Sequence, residues 1–144
     1  MKRVLKFIAI TALLICSVLG VGVLALFYCL GESLCGNRIV SEVIAPNKRL
    51  KATVFRRDCG ATDGFSTQVS VISAFDQLPN KSGNAFSADT NHGAAPQAEA
   101  DGPIVQVEWQ SDNALVIRHH PAARVFTQRK EVDEVQLSYD RYKQ

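Results

Sequence analysis

Charge is missing from residues 7–30. Twenty-four consecutive residues carry no Asp, Glu, Lys or Arg, and Lys2, Arg3 and Lys6 stand just ahead of them. As a helix, at about 1.5 Å per residue, the run spans roughly 36 Å, enough to cross a hydrocarbon core about 30 Å thick. Other absences narrow the rest of the chain. Residues 31–144 have no surplus of either sign, holding all fourteen acidic residues and thirteen of the sixteen basic ones, a formal charge of −1. Nucleic-acid binding depends on a concentrated positive surface, so this balance argues against it. No segment of 31–144 repeats apolar residues every 3.6 positions, which argues against a helical domain. Phosphate-binding glycine loops, a Gly-x-Ser-x-Gly elbow and a Cys-x-x-Cys pair are all lacking, and there are only three histidines.

What is present begins with topology. Residues 1–6 read as a cytoplasmic tail, 7–30 as a transmembrane anchor and 31–144 as an exported domain. The basic residues ahead of the span keep the N-terminus inside, so the C-terminal part is delivered to the periplasm or beyond. The bilayer itself is thus the first partner, and the inner membrane the expected location. Two rivals stay open. A cleavable signal has an apolar region of about 7–15 residues, shorter than this one, although Val23 and Ala25 suit removal after Ala25. A lipoprotein site at Cys29 is disfavoured by the aromatic residues Phe27 and Tyr28 before it.

Cysteines divide by position. Cys16 sits in the apolar run and Cys29 at its edge, leaving Cys35 and Cys59 inside the exported part, where an oxidising compartment favours pairing. Hairpin arithmetic points the same way. Residues 38–45 and 50–57 read as strands around Pro46-Asn47-Lys48-Arg49. With the turn near Asn47, opposed residue numbers add up to 94 or 95, and Cys35 with Cys59 adds up to 94. A bridge there closes a loop of about 25 residues, worth about 3 kcal/mol by loop entropy.

Alternation continues downstream. Phe65, Thr67, Val69 and Val71 interleave with polar residues, as do Val105, Val107 and Trp109, and later Val135, Leu137 and Tyr139. A turn at 111–113 leads into a return strand at 115–117, and 124–128 reads as a short strand. The expected fold class is all-β: a transmembrane helix, then one small antiparallel β-sandwich or curled sheet. Residues 76–103, rich in Gly, Pro, Asn and Ser, are expected as a long surface loop with a short strand near Phe86. The basic residues Lys48, Arg49, Lys51, Arg56 and Arg57 read as a solvated hairpin face or a contact for acidic headgroups.

The most distinctive string runs from Asp58 to Ser70, Asp-Cys-Gly-Ala-Thr-Asp-Gly-Phe-Ser-Thr-Gln-Val-Ser. In it the chain resembles small membrane-anchored bacterial proteins of uncharacterised function, over the hairpin, this string and the His92-Gly93 region. The resemblance implies a bacterial envelope location and carries no information on activity. Physically, the string is a glycine-containing connection between two strands. Its functional reading is a polar rim of Asp58, Asp63, Ser66 and His92, groups suited to hydrolysis or metal binding if they meet within about 3 Å. His119-His120 are adjacent on a strand and point to opposite faces, which disfavours a shared metal. No catalytic residue, cofactor or metal ligand is assigned. Two functions follow as expectations. One is a non-catalytic domain that binds another envelope protein, in the manner of an immunity or inhibitor protein. The other is a small envelope hydrolase or metal-dependent enzyme built on the rim, although so short a chain leaves little depth for a pocket.

Overall fold

The computed structural model describes residues 2–33, 35–60, 64–99 and 101–142, and divides into two compact units, 1–34 and 35–144. The first is helix α1 (Lys2–Ser33). Within it Lys6–Leu26 is long and apolar enough to cross a membrane. The two hydroxyls within Lys6–Leu26 satisfy themselves on the helix, Thr11 Oγ1 donating to Phe7 O and Ser17 Oγ to Leu14 O, both at 2.8 Å. Such back-bonding lets a polar side chain sit in an apolar solvent.

Among the described residues, the second unit has nine strands in two open sheets. One is ordered β1-β2-β3-β4-β7 and the other β5-β6-β9-β8. The strands are β1 (Gly36–Ile44), β2 (Leu50–Asp58), β3 (Phe65–Ser73), β4 (Phe86–Asp89), β5 (Val105–Ser111), β6 (Ala114–His119), β7 (Arg124–Gln128), β8 (Glu131–Val132) and β9 (Val135–Arg141). All pairings are antiparallel except β6 with β9. The first sheet contributes Ala52, Val54, Val69, Val71, Phe86 and Ala88 to the core, and the second contributes Val105, Leu115, Ile117, Val135 and Leu137. A sandwich is therefore the form in which the single-faced strands bury themselves.

The first hairpin follows the register expected from its turn. Gly36 opposes Asp58 and Ile39 opposes Phe55, then a bulge shifts the ladder so that Ser41 meets Val54. One step beyond Gly36 and Asp58, Cys35 and Cys59 are disulfide-bonded, with Cα atoms 4.0 Å apart. The β8–β9 turn is made by Asp133 and Glu134, both left-handed with φ of 45° and 66°. Two successive left-handed residues form the turn whose twist suits a tight hairpin.

The segment between β3 and β4, expected as a surface excursion, is stitched across the back of the first sheet. The Asn84 amide pairs with both backbone groups of Val71, at 2.9 and 2.8 Å, so a side chain continues the ladder. Gln68 Oε1 accepts from Gly83 N at 2.7 Å, and Asn37 Nδ2 donates to the carbonyls of Pro79 and Lys81. Gly83 permits this approach, since a Cβ there would lie 2.7 Å from Val69 O. Beneath the strap, Thr53 and Phe55 lose all solvent contact. The strand expected near Phe86 is β4, an interior strand flanked by β3 and β7.

Candidate functional site

Strand register decides where the rim residues go. Across β2 and β3, Asp58 opposes Phe65, whereas Ser66 opposes Arg57. Opposed residues share a face and successive residues alternate, so Asp58 and Ser66 project from opposite faces of one sheet.

On the core-facing side, Asp58 joins Arg56, 3.6 Å away, which also binds Asp101 at 2.7 Å and lies over the Phe65 ring at 4.4 Å. Asp58 Oδ1 also accepts from Gly60 N at 2.9 Å, an Asx turn that starts the connection to β3. Its carboxylate therefore organises the strand end. Asp63 lies outside the described residues.

On the back face, Asn37, Arg57, Ser66, Asp89 and Arg124 line up across the first sheet. Ser66 Oγ accepts from Gln68 Nε2 at 2.9 Å. Asp89 is ion-paired with Arg124 and accepts from Asn91 N at 2.8 Å. Burial pushes the Asp89 carboxyl up, but the Arg124 guanidinium and the Asn91 N–H outweigh it and hold it below the usual range. His92 is exposed in the next turn, left-handed at φ 56°, and its charge acts on Asp89 at a distance. The described rim members thus make no hydrogen bond to one another. Three of the described residues, Ser66, Asp89 and His92, do gather toward one corner.

Asp89 and Arg57 carry more of this corner than the sequence suggested. Arg57 was expected on a solvated hairpin face with Arg56. Instead the two point to opposite sides, and Arg57 is 4% exposed with its Nη1 donating to Asn37 Oδ1 at 2.8 Å. The pairing of Asp89 with Arg124 across β4 and β7 joins residues 35 positions apart, and the sequence offered only a short strand near Phe86. Lys51 also leaves the basic face, bridging to Glu42 at 2.9 Å and holding that carboxyl below its ordinary value.

The histidine pair separates as alternation requires. His119 is buried against the Phe86 ring, centroids 5.1 Å apart, while the His120 Nδ1 accepts from Ala122 N. Among the described residues no three His, Cys, Asp or Glu side chains are grouped to hold a cation. Trp109 packs on the core and donates from Nε1 to Val43 O at 2.9 Å. Tyr142 is half-buried, its hydroxyl donating to Ile104 O at 2.8 Å.

Tyr139 gives a pH signature. Its hydroxyl donates to Arg129 O at 2.6 Å, and burial pushes its pKa up to about 12. A folded value above the unfolded one, about 10, means that the folded state holds the proton more tightly. That stability is fully present below pH ~10 and is lost as pH rises toward about 12. Thermal melts between those pH values are expected to fall more steeply for the wild type than for Tyr139→Phe; parallel curves would show that the phenol is not buried as described.

Depressions mark the domain surface among the described residues. One of about 590 Å³ is lined by Asn37, Ile39, Glu42, Lys51, Phe75 and Leu78. An adjoining one of about 500 Å³ is lined by Ile44, Ala45, Pro46, Lys48, Ala74 and Phe75. Another, about 630 Å³, is polar, lined by Arg49, Asp112, Asp133 and Glu134. Comparison with family models, curated proteins and solved structures finds no match to this chain, so the reading of its surface rests on the geometry above.

Proposed function

We propose that the chain is a single-pass protein of the inner membrane, N-terminus inside, whose β-sandwich works outside the cytoplasm as a non-catalytic binding domain. The observation that carries this reading is the division of Asp58 and Ser66 between two faces of one sheet, each in a local structural contact. A hydrolytic site needs nucleophile, base and orienting acid within hydrogen-bond reach, and these groups are spent on holding turns and strand ends. The Cys35–Cys59 bridge supports an oxidising compartment. The apolar span behind three basic residues supports the orientation. In this reading the partner is another envelope protein, bound in the way that immunity or inhibitor proteins engage their targets. The likeness of the string from Asp58 to Ser70 to small anchored bacterial proteins supports the same placement.

The competing reading is a small envelope hydrolase using Asp58, Asp63, Ser66 and His92. A triple variant, Asp58→Asn with Ser66→Ala and His92→Ala, separates the two. The intact protein is expected to turn over no ester, phosphodiester or peptidoglycan substrate above buffer. In cells, chemical cross-linking is expected to trap the triple variant in the same adducts as the wild type. Turnover by the wild type that the triple variant loses would establish the hydrolase instead.

A further inference from the structure

The least explained feature of the domain is an apolar strip along its edge. Phe75 is 88% exposed, with Ile39 and Ile44 exposed at 49% and 56%. Phe75 lines both neighbouring depressions, one with Ile39 and the other with Ile44 and Pro46, and the Glu42–Lys51 ion pair sits between the two isoleucines. Isolated exposed hydrophobics are ordinary, but several bordering the same depressions on a small domain mark a contact.

We infer that this strip is a lipid-contact surface, which rests on the outer leaflet of the bilayer that α1 is proposed to span. The inference rests on the anchored reading above and names a second contact of the chain with that bilayer. Three observations favour lipid. First, β1 starts at Gly36, six positions after the uncharged run 7–30 ends. So short a tether keeps the domain at the membrane and makes surface contact effectively intramolecular. Second, Lys48, at the turn beside Ile44 and Pro46, is exposed and forms no ion pair among the described residues, where Lys51 is paired with Glu42. A basic group beside apolar ones suits an interface of anionic headgroups and acyl chains. Third, strand addition by a protein is blunted along this edge. β1 is bulged between Ile39 and Ser41, and the Val43 carbonyl is already taken by the Trp109 indole. What remains available is side-chain surface, which a fluid bilayer can cover.

The test uses the intact chain in vesicles of phosphatidylcholine and phosphatidylglycerol, with and without bromine on the acyl chains near the headgroup. Phe75→Trp places a reporter on the strip, and Gln106→Trp places one on the exposed outer face of β5. Both positions are exposed, so neither change disturbs the core. The parent protein, whose single tryptophan is Trp109, supplies the background. The indole introduced at 75 is expected to emit at shorter wavelength than the one at 106 and to lose emission in brominated vesicles. The indole at 106 is expected to stay water-like and unquenched. Failure of bromine to quench the indole at 75 overturns the inference, whether that indole is water-like or is shielded by a second copy or another protein. Flotation of the same samples reports the anchor separately. Chain that floats with an unquenched indole overturns the strip alone, and chain that does not float overturns anchor and strip together.

Discussion

Phe86→Ala is expected to remove about 3–5 kcal/mol from the stability of the exported domain, the range for deleting a buried aromatic side chain. Phe86 has no solvent exposure and sits against both His119 and Tyr139, with ring centroids 5.1 and 5.9 Å away. It lies on β4, only four residues long, which joins β3 to β7. The carbonyl of neighbouring Ala85 also accepts from Arg129 N at 3.1 Å and from the Tyr139 hydroxyl at 3.3 Å. Loosening β4 therefore disturbs both ends of that bridge between the sheets. Domains of this size hold about 5–15 kcal/mol in all, so the loss is a large share. Urea titration of the intact chain in detergent, followed by Trp109 emission, measures it. Phe75→Ala removes the same ring from an exposed position and is expected to stay within about 0.5 kcal/mol of wild type. Equal effects at the two sites would mean that Phe86 is not packed between the sheets.

Replacing both Cys35 and Cys59 by Ser is expected to cost about 3 kcal/mol, through the unfolded chain more than through lost native contacts. The bridge spans 24 positions at the open end of the first hairpin. Its native surroundings add to the effect. Asn80 Nδ2 donates to the Cys35 carbonyl at 2.7 Å, and Asn37, two residues on, holds the carbonyls of Pro79 and Lys81. The bridged strand end is therefore also the mooring of the strap over Phe55. A reducing agent should lower the urea midpoint of the wild type and leave the double variant unchanged. If reduction leaves the wild-type midpoint where it was, the bridge contributes nothing to this fold.

Local chemistry was readable from residues close in sequence. An uncharged run announces a helix able to span a membrane, because burying even one charge in hydrocarbon is costly. A short turn with Pro46 and Asn47 sets the pairing of the strands on either side, and that pairing placed Cys35 opposite Cys59. Alternation marked one buried face on β3, β5 and β9, which was enough for the fold class.

Tertiary structure alone decided what those strands do to the polar side chains. The connection from Cys59 to Gly64 imposes no register that can be read from its residues, yet the register it closes puts Ser66 opposite Arg57. One step either way would have sent Ser66 to the side of Asp58. Gln68, Ser70 and Asn84 have the composition of a solvated surface, but the strap supplies their hydrogen bonds and lets them be covered. The parallel pairing of β6 with β9 joins segments separated by β7 and β8, a choice set by how two sheets close over one core. Short-range pattern thus determined which residues prefer burial and where the chain turns. Which polar groups became partners depended on long-range register, because a shift of one residue reverses every side chain of a strand.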